Sequence, residues 1–266
     1  MTHTSRIVNT LMLVVGFAFL YFPIAMVIIF SFSESRTPGV WGGFSLTWYH
    51  ALFQDRSILD ALWVSLRIAL QSATLALVLG TTGAFILVRF GRFKGRDLFA
   101  SLVNVPVLLP DIILGLGLVL LFVQMNAWLG WPQALGMHTV ITAHATVGMA
   151  YVLIIVRGRL LEVDAHLEEA ALDLGATPTT VFWKITLPVI ASSLLSGWLL
   201  AFTLSLDDVI LASFLTGPGA TTLSVEVFSQ IRTGVTPKIN AVATLLIAVI
   251  AFLASIASVA LFRKRP

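Results

Sequence analysis

The sequence predicts an all-α polytopic membrane protein with six transmembrane helices. Three observations carry that prediction. Of 266 residues, 58% are hydrophobic and 11% are charged, against about 25% charged in a soluble domain. Apolar runs of about 20 residues, each long enough to cross a hydrocarbon core as a helix, recur along the chain. Most Lys and Arg residues sit in the short loops between those runs. The net charge of +3 therefore reads as membrane topology and not as a nucleic-acid surface. With no cysteine, disulfides, thiolate catalysis and Cys-based metal sites are excluded.

The spans run at about 8–32, 61–89, 98–125, 139–157, 187–214 and 239–262. Residues 7–32 are too long for the apolar region of a signal peptide and lack a small-residue cleavage site, so they read as an uncleaved first span. Arg6, Arg89, Arg92, Lys94, Arg96, Arg157, Arg159, Lys184, Arg263, Lys264 and Arg265 fall on one side; Arg36, Arg56, Arg67, Arg232 and Lys238 fall on the other. The positive-inside rule then puts both termini in the cytoplasm. In the long external loop 33–60, Trp48, Tyr49, Leu52 and Phe53 recur at helical spacing. They suit a short helix at the membrane interface or one capping the bundle. The third span is irregular, since Pro106 and Pro110 each remove a backbone donor and Gly115 and Gly117 follow. The fifth opens on Leu187-Pro188, and its Ser192, Ser193, Ser196, Gly197 and Ala201 allow close helix approach.

Between spans four and five lies a polar, amphipathic island. Asp164 can cap a helix whose first turn holds Glu168 and Glu169, where the macrodipole favours anions. Leu167, Ala170, Ala171 and Leu174 follow the i, i+3, i+4, i+7 rule and form one apolar face. Gly175 stands where a left-handed residue ends a helix. Thr177-Pro178 restarts a second short helix, with Val181, Phe182 and Ile185 on its apolar side and Pro188 closing the loop. The reading is a helix–turn–helix knob presented to the cytoplasm; the alternative is a loop helix packed on its own bundle.

Glu169-Ala170-Ala171, Gly175, Ile185 and Leu187-Pro188 together resemble the EAA motif of the membrane subunits of binding-protein-dependent ABC importers. The resemblance covers about residues 60–260. More narrowly, Phe202-Thr203-Leu204-Ser205-Leu206-Asp207-Asp208-Val209-Ile210 and Gly217-Pro218-Gly219-Ala220-Thr221-Thr222-Leu223 resemble the polyamine (putrescine/spermidine) permease subunits of that family. The resemblance implies an N-terminal helix and periplasmic loop at 1–60, a type I permease domain at 61–260 and a short basic cytoplasmic tail at 261–266. It implies a multi-pass subunit of a bacterial inner membrane, in contact with lipid, that is not itself an enzyme. Its partners would be a cytoplasmic ATPase dimer, a second and different permease chain, and a periplasmic substrate-binding protein. No cofactor would bind this chain directly; ATP-Mg would be used by the ATPase. The motif residues Glu169, Ala170, Ala171, Gly175, Ile185, Leu187 and Pro188 would dock into and couple to that ATPase.

Asp111, Asp207 and Asp208 lie within spans, where a carboxylate costs about 2.5–3.5 kcal/mol on insertion scales. Such charges line a pathway or meet a partner, and a cationic amine would need acidic acceptors of this kind. The alternative pairs Asp207 or Asp208 with Arg232, Arg67 or another subunit's cation, or places them at the membrane interface in water. Adjacent helix positions differ by about 100°, so Asp207 and Asp208 would not face one groove squarely, whereas Ser205 and Asp208 share a face more nearly. His138 and His144 have no carboxylate or third ligand nearby in sequence, which argues against a metal site.

The chain has no Gly-x-x-x-x-Gly-Lys-[Ser/Thr], His-Glu-x-x-His or Gly-x-Ser-x-Gly, which excludes a P-loop and argues against an intramembrane enzyme. A self-sufficient secondary transporter using the aspartates for proton coupling remains an alternative, although no inverted repeat with matching broken helices is visible. A non-transporting scaffold would not need acids inside its spans.

Overall fold

The computed structural model describes residues 3–37, 39–234 and 237–262; the basic residues Arg263, Lys264 and Arg265 lie outside them. The helices are α1 (His3–Ser31), α2 (Thr47–Gln54), α3 (Arg56–Arg89), α4 (Arg96–Leu108), α5 (Asp111–Leu129), α6 (Met137–Glu162), α7 (Ala165–Asp173), α8 (Pro178–Val181), α9 (Leu187–Asp207), α10 (Ile210–Leu215), α11 (Leu223–Thr233) and α12 (Pro237–Phe262). Among the described residues, β-pairing is limited to one isolated bridge between Ser33 and Phe44. Among the described residues, five helical stretches are long and apolar enough to cross a bilayer: Asn9–Ser31, Arg56–Arg89, Asp111–Leu129, Met137–Glu162 and Pro178–Asp207. Pro237–Phe252 is a shorter one.

Two predicted spans are divided. The third, 98–125, is not one kinked helix. Leu109 and Pro110 are both extended, at ψ 140° and 137°, and they separate α4 from α5. Pro110 denies its neighbour the helical conformation, whereas Pro106 is accommodated inside α4 and buried. The fifth, 187–214, ends at Asp207, because Asp208 is extended and caps the separate short helix α10. Nor does α9 start afresh from a loop at Leu187. α8 runs through a π-turn at Phe182–Thr186 into α9, so Pro188 does not close the loop. The continuous stretch Pro178–Asp207 has 30 residues, or about 45 Å at the α-helical rise. That exceeds a hydrocarbon core, so one end must project.

The chain divides into two units. One is formed by its two ends, up to Leu59 and from Val227; the other is Asp60–Glu226. In the first, α1 and α2 both pack on α12. The interfacial residues predicted in the external loop form α2, which is pinned to the end of α1. Trp48 Nε1 donates to the Ser33 carbonyl at 2.8 Å, Tyr49 Oη and Ser31 Oγ are 2.7 Å apart, and Phe53 remains exposed. At the end of α2, Asp55 accepts from Lys238 Nζ and caps the next turn through Ser57.

The Lys238 hydrogen bond holds the Asp55 carboxyl below its ordinary value, although burial pushes it the other way. A depressed folded-state value means that the stabilisation is present above the unfolded value, about 3.9, and is lost as pH falls through the folded one. Asp55→Asn is expected to lower the melting temperature in detergent by an amount equivalent to about 1 kcal/mol or less at pH 7. The difference from wild type should disappear only below pH about 4. Melting curves across pH check this; a difference that fades between pH 6 and 8 would contradict it.

The second unit is built around α6, whose Val140, Ala143, Ala150, Val152, Val156 and Leu160 are fully buried. Small residues permit its contacts. A methyl group on Gly80 would meet the Met149 carbonyl at 2.7 Å, and one on Gly148 would meet Ala76 and Ala201 Cβ at 3.0 and 3.2 Å. Gly197 and Ala201, singled out in the sequence, are the buried members of the small-residue set, while Ser192 and Ser196 are exposed.

Candidate functional site

The break after α9 and the break before α5 open on one cavity. Its volume is about 360 Å³, and Asp111, His144, Tyr151, Ser205, Asp207 and Asp208 are among the residues that line it. Three carboxylates picked out from the sequence therefore share one wall system. Asp207 is the last residue of α9 and Asp208 already stands outside it. The 100° rule for adjacent helical positions ceases to apply there, so both line the cavity.

The three acids are not equivalent. Asp208 accepts backbone N–H groups from Ile210 and Leu211 on Oδ1 and from Ala212 on Oδ2, at 3.1, 3.2 and 3.0 Å. Its Oδ2 also lies 2.8 Å from His144 Nε2. The other ring nitrogen of His144 stands 2.7 Å from Ser205 Oγ, which accepts from Ser72 Oγ at 3.1 Å. Asp208 thus organises the start of α10 and ties α9, α6 and α3 together. Ser205 and Asp208 do share a face, as expected, and His144 is what they face. Asp111 opens α5 and Asp207 closes α9; both are exposed to the cavity, and among the described residues neither has a hydrogen-bond or ion-pair partner. Of the suggested cations, Arg67 lies over the Trp63 ring at 4.8 Å and Arg232 over Phe228 at 5.9 Å.

The knob between α6 and α9 forms as its sequence dictates. Asp164 caps α7 through the His166 N–H at 3.0 Å. Gly175 has φ +87°. The Ala176 N–H reaches the Ala171 carbonyl at 3.0 Å and the Gly175 N–H reaches that of Leu172 at 2.9 Å. This pair of bonds closes a Schellman turn. Thr177 then caps α8 with Pro178 at its first position. The apolar face is not turned onto the bundle: Leu167 is 54% and Leu174 90% exposed, Ala170 is exposed and Ala171 half-buried. Glu169 is exposed beside His166 at 3.1 Å. Ile185 and Leu187 are half-buried in the turn and at the helix start, and Pro188 is exposed.

Sequence reasoning passed over two residues. His144 has no metal partners in sequence, yet an ionisable residue inside an apolar span is itself a signal. In sequence Glu168 reads only as a first-turn anion. In the fold it meets Arg89, at 2.9 Å from Nε and 3.1 Å from Nη2, and accepts from Thr186 Oγ1 at 2.8 Å. Those partners are 79 and 18 residues away in the chain, beyond any local pattern.

Known proteins resemble this architecture throughout. The subunit structure of a bacterial ABC transporter involved in the import of the acidic polysaccharide alginate superposes with a TM-score of 0.75 at 17% identity, covering 100% of this chain and 99% of that one. A likeness at this identity concerns the fold. The putrescine transport system permease protein PotI of Escherichia coli (strain K12) is 51% identical over 245 residues, 92% of this chain and 87% of that protein. The spermidine/putrescine transport system permease protein PotC of Haemophilus influenzae is 38% identical, covering 90% of each. Residues 75–265 match the family described as binding-protein-dependent transport system inner membrane component. The predicted helical membrane fold with a cytoplasmic-type knob is thereby the type I importer permease fold, and the chain belongs to the family of binding-protein-dependent transport system inner membrane components.

Proposed function

We propose that this chain is the membrane-spanning permease subunit of an ATP-driven importer that carries a polyamine, putrescine first, across a bacterial inner membrane. The observation that carries the reading is the cavity itself. Two carboxylates without a partner among the described residues, Asp111 and Asp207, open on it, and Asp208 shapes its edge. A dication needs just such separated acceptors, and ammonium–carboxylate attraction grows as the surrounding dielectric falls. The names of the relatives at 51% and 38% identity agree with that chemistry.

In this reading Glu169, Ala170, Ala171, Gly175, Ile185, Leu187 and Pro188 couple the chain to a cytoplasmic ATPase dimer, which binds and hydrolyses ATP-Mg; this chain binds no nucleotide. The exposed face of Leu167, Ala170 and Leu174 supplies the area to be buried in that contact. Both termini are cytoplasmic, a different permease chain forms the other half of the pore, and a periplasmic protein delivers the substrate. The test is putrescine uptake into liposomes holding the assembled complex. ATP should drive accumulation, and a protonophore should not abolish it. Accumulation that follows a proton gradient without the ATPase would replace this reading with a secondary transporter.

A further inference from the structure

We propose that Glu168 is the joint that makes the exposed knob and two membrane helices move as one, a positioning residue for coupling that lies outside the docking face. The inference rests on the ATP-driven reading above. The two adjacent glutamates of α7 point to different fates. The Glu169 side chain is 66% exposed, and that of Glu168 is 14% exposed. Glu168 is held by donors from two other elements. Arg89, the last residue of α3, donates from Nη2 at 3.1 Å and sets Nε 2.9 Å away as an ion-pair contact; Thr186, in the π-turn ahead of α9, donates at 2.8 Å and is 1% exposed. A carboxylate held this way has one geometry and leaves neither donor free to turn to water.

The π-turn explains why Thr186 is available. It closes with the Leu187 N–H on the Phe182 carbonyl, one residue wider than an α-turn. The extra residue rotates the helix phase by about 100°. Trp183 and Lys184 then face outward while Thr186 is buried toward Glu168.

The consequence is mechanical. α3 and α9 are cross-linked twice: by Glu168 between Arg89 and Thr186, and by Ser72 on Ser205 beside the cavity. From Ser72 to Arg89 along α3 is about 25 Å at the α-helical rise. A displacement of α7 enters both helices at once and reaches the wall that carries Asp207. Without the joint, α7 can shift while α3 and α9 stay behind.

The experiment measures putrescine moved per ATP hydrolysed in the complete complex in liposomes, with the loaded binding protein supplied. In Glu168→Ala, stimulated hydrolysis should stay within about twofold of wild type while the transport-to-hydrolysis ratio falls about tenfold. The exchange Arg89→Glu with Glu168→Arg should recover part of that ratio. An unchanged ratio in Glu168→Ala, whether both rates hold or fall together, would overturn the proposal, because a merely structural contact lowers both. If Glu168→Ala does not assemble, Glu168→Gln decides, since it keeps an oxygen for Thr186 and loses only the charge; a wild-type ratio there also overturns it. A wild-type complex without ATP-driven uptake would instead sink the import reading, which separates the two failures.

Discussion

Gly175→Val abolishes uptake while the chain still inserts in the membrane. The expectation follows from conformation alone. Gly175 sits at φ +87° in the Schellman turn that ends α7, and a methyl group there would meet nothing within 4 Å. Space is therefore not the obstacle. A β-branched residue in the left-handed region costs on the order of 1–3 kcal/mol, enough to cancel what the two closing bonds return. The chain would unwind the turn, and α7 would lose its angle to α8. Gly175→Ala should be milder, near 1 kcal/mol, and leave partial activity. Co-purification of the ATPase and uptake by the same preparation check both variants. A Gly175→Val complex that assembles and transports normally would show that the turn geometry is dispensable.

The second large effect concerns the cavity acids, and their partners set them apart. Asp111→Asn and Asp207→Asn each remove a charge that no described protein group uses. Each should weaken apparent putrescine affinity about 10-fold, the equivalent of one charge-assisted hydrogen bond, with normal assembly. The double variant should be about 100-fold weaker if the sites are independent. Asp208→Asn behaves differently. Its carboxylate holds three N–H groups of α10 and faces His144, so the loss should fall on thermal stability and yield of complex. Uptake kinetics alongside melting temperature separate the two patterns. Wild-type affinity in the Asp111, Asp207 double variant would make these acids structural.

Local sequence determined much of this fold. The Asp164 cap, Gly175, the Thr177-Pro178 restart and the apolar stripe of α7 act over one or two turns, and each formed as read. The broken spans were legible only in part. Pro110 signalled irregularity, but whether α4 bends or stops depends on what α5 packs against. The end of α9 at Asp207 had no proline to mark it; it is fixed by the N–H groups of α10 competing for the Asp208 carboxylate. Long-range polar contacts were not legible at all. Glu168 and Arg89 are unremarkable in their own segments, and only the fold brings them together.

In the proposed importer, a loaded soluble partner on one face of the membrane controls ATP hydrolysis on the other through this chain. The direct measurement is ATP hydrolysis by the complex reconstituted in liposomes, with the binding protein supplied empty, with putrescine or with spermidine. Putrescine-loaded protein is expected to stimulate hydrolysis well above the empty form, and Gly175→Val to remove the stimulation. Hydrolysis indifferent to any polyamine-loaded protein, with putrescine entering regardless of ATP, would contradict it.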